Sequence, residues 1–266
     1  MNGPAAPPQP VASPRPIIFT TASLQPPAMR WDPLNSGYVT SQAYAVALNV
    51  SATERAPSYQ ELFANGPHVA TGTFERGSTG LGMERSRGLD LSLRKREGAL
   101  TGSIGVFYNR FSNYIALIDQ GATDVDSNLP IFAYQQVRAE LQGFEWQGAW
   151  RVWERGGERV RLELRGDTTR ATNLDTNEPL PRISPLRYGG AMGYELGAFA
   201  ARVDVLRVTA QRRVASHELP TDAYTMLNAT LSYKWRSGRN EIEAWLRGQN
   251  LLNSEARVRG WPPFSL

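Results

Sequence analysis

The chain has 266 residues, 41% of them hydrophobic and 20% charged, with a formal net charge of +4. That is too polar for a helical membrane protein, since no run of 18 or more apolar residues occurs, and its 10% aromatic content is too high for a disordered chain. There is no Cys, which excludes disulfide scaffolds, thiolate zinc sites and thiol catalysis, and only two His occur, His68 and His217. The basic residues are nearly all Arg, only Lys95 and Lys234 being lysines, and they are interleaved with acids along the chain. No basic patch stands out, so no nucleic-acid partner is expected.

Residues 1–37 form a leader in which Met1 to Pro27 carries eight prolines, a composition that predicts an extended, poorly ordered segment. It lacks a basic start followed by an apolar core, so it does not read as a secretory signal. Residues 38–253 are dominated by a period of two, the mark of strands with one greasy and one polar face. Val160, Leu162 and Leu164 oppose Arg159, Arg161, Glu163, Arg165 and Asp167; Leu89, Leu91 and Leu93 oppose Asp90, Ser92 and Arg94. The same alternation runs through Leu100–Asn109, Leu227–Arg236 and Glu241–Gln249.

These patterns predict an all-β, antiparallel up-and-down meander of about nine strands, at 38–53, 86–96, 99–116, 134–153, 158–171, 185–195, 199–210, 223–235 and 241–253. Short connections alternate with long ones, the long ones being 54–85, 117–133, 172–184 and 211–222. A meander then gathers every tight turn at one end and every long loop at the other, the layout of an outer-membrane barrel. Several predicted strands exceed the roughly 9–11 residues that a tilted strand needs to cross a bilayer. Aromatics cluster toward strand ends (Tyr108, Phe111 and Tyr114; Trp150 and Trp153; Tyr233 and Trp235), as an interfacial belt or plain strand propensity would place them. The charged face wants water, and about nine strands cannot enclose a wide wet lumen. An incomplete transmembrane β-barrel is therefore expected.

Five segments in order carry a family resemblance. Arg55-Ala56-Pro57-Ser58 followed by Glu61-Leu62-Phe63, then Gly77, Leu81, Glu84 and Ser86, resemble a strand end, outer loop and next strand of TonB-dependent outer-membrane receptors. Val106–Leu117, Leu180–Gly190, Tyr224–Trp235 and Leu246–Arg257, with Asn250-Leu251-Leu252-Asn253, resemble later strands of that family. Ser78 stands where the family pattern has Asn. The Gly66–Glu75 run is most similar to the zinc-uptake branch. The resemblance implies a C-terminal barrel portion that lacks the plug and the closing strand. It further implies outer-membrane localisation and lipid contact, TonB as partner through the plug of the parent protein, and a metal ion (zinc among them) or metal chelate as cargo. Residues 254–266, with Pro262 and Pro263, do not continue the pattern and read as an aberrant tail. By this reading the chain alone is not expected to transport.

His68 and Glu75, with Glu61 nearby in sequence, are the candidate metal residues, because imidazole and carboxylate suit a borderline ion such as zinc. The competing reading is a solvated loop His. His217 beside Glu218, and Asp119, Asp124 and Asp126 without EF-hand spacing, read as solvated loops. The Arg, Glu and Asp ladder at 159–167 reads as a lumen wall whose charges pair across strands. Ser58, Ser86 and Ser184 lack a nucleophile context and no Gly-rich loop opens a helix, so neither enzyme chemistry nor a bound cofactor is expected. A self-contained barrel adhesin or porin, and a soluble β-sheet carrier, are the alternatives; the carrier requires its grease to be enclosed.

Overall fold

The structure is a computed structural model and describes residues 36–40, 43–69, 71–216, 218–238 and 240–255. The proline-rich leader and the C-terminal tail therefore lie outside the described residues, apart from Ser36–Gly37 and Ser254–Glu255. In chain order the elements are β1 (Ser36–Thr40), β2 (Tyr44–Arg55), α1 (Tyr59–Phe63), β3 (Asn65–His68), β4 (Thr73–Arg76), β5 (Glu84–Lys95), β6 (Leu100–Thr123), β7 (Pro130–Arg155), β8 (Glu158–Asn173), β9 (Arg187–Leu196), β10 (Phe199–Val208), β11 (Tyr224–Ser237) and β12 (Asn240–Gly248). Ten strands pair antiparallel in the order β1-β2-β5-β6-β7-β8-β9-β10-β11-β12. The sheet is open among the described residues, with β1 and β12 at its two edges. No described helix is long and apolar enough to cross a membrane.

The predicted strands are all present, with four differences, one of them at the end of the last, where the predicted residues 249–253 form a turn instead. The first divides into β1 and β2, which fold back on each other in register Ser36↔Asn49 to Thr40↔Ala45. The predicted loop 117–133 is mostly strand: β6 and β7 continue as a long hairpin as far as Thr123 and Pro130. The polar run Asp119-Gln120-Gly121 within β6 hides the strand signal. The turn is closed by Asp124, whose carboxylate accepts from the Ser127 amide at 3.0 Å, and by Asn128 at φ 54°. Finally, the connection 54–85 is itself folded, into α1 and the β3–β4 hairpin, and β4 pairs parallel with β7 from Phe74↔Ile131 to Arg76↔Ala133.

Register turns the alternation into continuous bands. One face carries the row Leu48–Leu91–Val106–Phe144 and, nearer the short turns, Leu100–Trp150–Leu162–Met192–Val203–Ala229. Leu91, Val106, Trp150, Met192 and Val203 each stay 45–50% exposed. A water-soluble monomer rarely leaves so broad an apolar surface open. The stripe is not folded into a core between two layers; it faces outward from a single layer. Tyr44, Trp153, Tyr194, Tyr233 and Trp235 border it at the short-turn end, where the Trp153 indole and the Tyr194 hydroxyl both donate to Glu158 at 3.0 and 2.9 Å. Amphipathic rings suit a membrane–water boundary.

The polarity of the two faces reverses along β6, β7 and β8. On β7 the outward side runs from Trp146 and Phe144 to Gln142, Glu140 and Arg138, while the inward side runs from Gln147 and Glu145 to Leu141, Ala139 and Val137. The pairing of β7 with β8 stays continuous from Arg151↔Arg161 to Ala139↔Asn173, so the reversal is in side-chain chemistry and not in register. Beyond it, Ala116, Val137, Ala139, Ala171 and Leu180 form a small buried core with Phe111, Tyr114, Leu141 and Ile183 around it. Phe111 and Tyr114 therefore do not belong to an outer aromatic belt. Strand alternation turns Phe111 inward, the bulge between Phe111 and Tyr114 brings Tyr114 to the same side, and their rings meet edge to face at 5.1 Å.

Candidate functional site

Three groups of side chains occupy the long-loop end and the inward face. The first is an ion-pair hub that gathers the family-like motif. Ser58 caps α1 with a reciprocal capping box: its hydroxyl accepts from the Glu61 amide, and the Glu61 carboxylate accepts from the Ser58 amide. The motif satisfies two amides that the first helical turn leaves free. Arg55, at the end of β2, bridges Glu61 at 2.8 Å and Glu84, at the start of β5, at 3.0 Å. The buried Glu84 also accepts from the Ile115 amide of β6 at 2.9 Å. Burial pushes the Glu61 carboxyl up, but hydrogen bonds from Arg55 and Ser58 outweigh it and hold the group below its usual 4.5. Gly77 is required by close approach: a Cβ there would lie 2.6 Å from the backbone of Leu62 and Phe63. The Thr53 and Ser86 hydroxyls are hydrogen-bonded at 2.6 Å.

The second group is the predicted pair. The β3–β4 hairpin places His68 opposite Thr73 and Gly66 opposite Glu75. His68 Nδ1 lies 3.5 Å from Glu75 Oε1 and shares a 2.8 Å hydrogen bond with the Thr71 hydroxyl. Glu75 is only 4% exposed. Its Oε2 accepts from the Gln60 side-chain amide at 3.1 Å and from the Tyr134 hydroxyl at 3.3 Å. Burial, followed by the neighbouring Glu75 charge, pushes Tyr134 up to about 12. Glu61, near His68 in sequence, is held instead by Arg55 and Ser58. Among the described residues no three His, Cys, Asp or Glu side chains converge as a ready metal cage. Sequence reasoning missed Gln60 and Tyr134. The parallel β4–β7 pairing that delivers Tyr134 joins segments about 60 residues apart, which strand alternation cannot reveal.

The third group is the inward charge ladder, and its charges do pair across strands. Arg187 meets Asp167 at 2.8 Å, Arg202 meets Glu163 at 2.7 Å and Asp204 at 3.0 Å, and Arg159 meets Glu195 at 3.0 Å. At the long-loop end the connection after β8 folds over the inward face, where Leu180 joins the core, and the connection after β10 reaches the end of β8. The Arg213 guanidinium donates to the Ala171 carbonyl at 2.8 Å and the Thr172 hydroxyl at 2.9 Å, and the Arg182 amide donates to Glu218 at 2.7 Å. Among the predicted loop acids, Asp124 serves its own turn and lies 4.0 Å from Arg76, and the Asp119 carboxylate accepts from the Gly121 amide at 2.9 Å. His217 lies outside the described residues.

Asn250 and Asn253 explain the later family-like segment. Both are left-handed, at φ 49° and 50°, a backbone that Asn tolerates better than most residues. The Asn250 amide donates to Asn228 at 2.9 Å and its side chain accepts from the Ser254 amide at 2.9 Å, closing the turn after β12.

Comparisons with known proteins find the same fold in solved structures. The solved copper transporter OprC is similar, with a TM-score of 0.66 at 17% identity over 85% of this chain and 34% of its own. The siderophore receptor PirA from Acinetobacter baumannii has a TM-score of 0.58 at 13% identity, over 82% of this chain and 36% of its own. A mutant of the ferric enterobactin receptor PfeA from Pseudomonas aeruginosa, in complex with enterobactin, has a TM-score of 0.55 at 16% identity, over 84% and 35%. At such identities the likeness shows the fold, and the chain spans about a third of each of these proteins. The family described as TonB dependent receptor-like, beta-barrel, matches residues 28–251, so this chain belongs to the TonB-dependent receptor β-barrel family, a family of outer-membrane receptors and transporters.

Proposed function

We propose that the chain supplies barrel strands to an outer-membrane receptor that takes up a metal ion or metal chelate, with TonB driving release through the plug of the complete receptor. The observation that carries this is the single-layer sheet: its apolar rows are exposed outward while its charges pair inward. A soluble carrier would enclose its grease, and here the grease is outside. Relatives of the same fold described as a copper transporter and as siderophore receptors support the cargo class of metal ions and chelates.

Zinc is the proposed ion. His68 and Glu75 support it as a pair of borderline and hard donors 3.5 Å apart in a loop that folds onto β7. Two donors are fewer than the three or four protein ligands of a tight zinc site, so the remainder would come from elsewhere in the complete receptor. Calorimetric titration of zinc into the full chain in detergent tests this. Heat of binding that His68→Ala and Glu75→Gln each abolish is the expected result. Equal heat from the chain and both variants would contradict the assignment of the pair.

A further inference from the structure

Glu75 differs from the other carboxylates around its loop in what neutralises it. Glu61 and Glu84 are met by Arg55, and Glu54 by Arg85. Among the described residues Glu75 is paired with no Arg or Lys, and its ion-pair neighbour is His68, whose Nδ1 stands 3.5 Å from Oε1. Two ligands at about 2.1 Å from one ion under a tetrahedral angle stand about 3.4 Å apart, so the spacing suits a small tetrahedral ion. An ion bound at Nδ1 would displace the Thr71 hydroxyl, which retains the Thr73 hydroxyl at 2.7 Å and the His68 carbonyl at 3.2 Å. The other carboxylate oxygen, Oε2, is already committed to two neutral donors, Gln60 Nε2 at 3.1 Å and Tyr134 Oη at 3.3 Å. These donors come from separate elements. Gln60 sits on α1, which is tied to the chain after β4 by the Gly77 amide donating to the Ala64 carbonyl at 2.6 Å and the Ser78 amide donating to the Glu61 carbonyl at 2.9 Å. Tyr134 sits on β7, in register with Leu117 of β6. The buried carboxylate cannot rotate without breaking both bonds.

The geometry points to Gln60 and Tyr134 as specificity-determining residues of the proposed metal pair: they occupy Oε2 and leave Oε1 as the single oxygen that Glu75 offers an ion. Both are positioning residues that act through Glu75. A zinc ion takes few ligands and is satisfied by one oxygen of a carboxylate. Larger divalent ions take more oxygens and readily use both oxygens of one carboxylate. To do so here they would have to displace two hydrogen bonds and leave an amide and a phenol without their acceptor. Removing the outer hydrogen-bond partners of a ligating group costs roughly 10–100-fold in metal affinity. This role rests on the reading of His68 and Glu75 as metal ligands, and it adds which ions they prefer.

The test measures zinc and cadmium affinities of the full chain in detergent micelles, by competition with a chromophoric chelator. Cadmium carries the same charge as zinc and also binds imidazole, but it is larger. The chain is expected to prefer zinc. Gln60→Met with Tyr134→Phe keeps both shapes and removes both donors. It is expected to weaken zinc on the order of 10-fold or more and cadmium less, so that the ratio of zinc to cadmium affinity falls by about 10-fold. Each single variant is expected to move the ratio part of the way, and serves as the check should the double variant fail to fold. Infrared difference spectra of the zinc-loaded chain, with Glu75→Gln as the blank, should show the wide separation of carboxylate stretches that one-oxygen coordination gives. Cadmium on the double variant should show the narrow separation of two-oxygen coordination. Equal losses for the two metals, or no loss for either, would overturn the specificity role and leave the pair as ligands. Zinc affinity unchanged in both His68→Ala and Glu75→Gln would overturn the metal reading and this role with it.

Discussion

Two regions of one sheet obey opposite rules of burial. In the wall around Leu91, Val106 and Trp150, apolar side chains face out and stay exposed, and ion pairs such as Arg202–Glu163 face in. At the long-loop end of the same strands, Ala139, Ala171 and Leu180 are buried inward under folded connections, and charges such as Arg138 face out. Backbone pairing passes through both regions on β7 and β8. The sheet keeps its register while its surroundings change, so side-chain chemistry alone records where lipid stops and water begins. Stability differs accordingly. The wall depends on the backbone ladder and on lipid, whereas the loop end depends on a small conventional core and a buried polar hub.

The sharpest way to break the comparison is to charge one face and then the other at adjacent positions. Leu91→Arg is expected to destabilise the sheet in lipid by about 2–4 kcal/mol, the cost of Arg on a lipid-facing barrel position. Ser92→Arg, one residue on and facing inward, is expected to stay within about 0.5 kcal/mol. Urea unfolding in lipid vesicles reads both, and equal losses would mean that the faces are not distinct. Leu180→Ala should act at the other end. Removal of this buried side chain is expected to cost about 2–3 kcal/mol, at the lower part of the range for leucine truncation because its core is small. Hydrogen exchange should then rise at Ala139 and Ala171 and not at Val106.

Glu84→Gln comes next. It removes the charge that Arg55 bridges and weakens the acceptor of the Ile115 amide, for about 1–2 kcal/mol. Limited proteolysis within 56–83 should accelerate while the wall stays intact. The smallest effect is that of pH. Because the Glu61 carboxyl is held below its usual 4.5 in the folded hub, its contribution is present at neutral pH and is lost as pH falls through the folded value. Exchange protection of the α1 amides should therefore drop on acidification below about pH 4.5, by 1 kcal/mol or less, and Glu61→Gln should flatten that dependence.

Most of the wall was legible in the sequence, because a period of two is local and every strand of the meander repeats it. Leu89, Leu91 and Leu93 announce their face without help from any other segment. The loop end was legible only in part. The Arg55, Glu61 and Glu84 motif could be recognised as a resemblance, but its meaning as one ion-paired hub depends on β2, α1 and β5 meeting in space. The continuation of β6 past Ala116, and of β7 before Tyr134, was hidden by Asp119, Gln120 and Gly121, whose polarity mimics a loop. His68 and Glu75 could be grouped by their nearness in one long loop, whereas Tyr134 reaches Glu75 through a parallel contact that leaves no local trace.

The chain contains no Cys, so single cysteines can be placed one at a time along β5 from Leu89 to Arg94 and spin-labelled in lipid vesicles. Relaxation by oxygen, which concentrates in lipid, is expected to dominate at 89, 91 and 93, and relaxation by a water-soluble nickel chelate at 90, 92 and 94. Labels at 89, 91 and 93 shielded from both agents would place those side chains in a closed protein core and contradict the account.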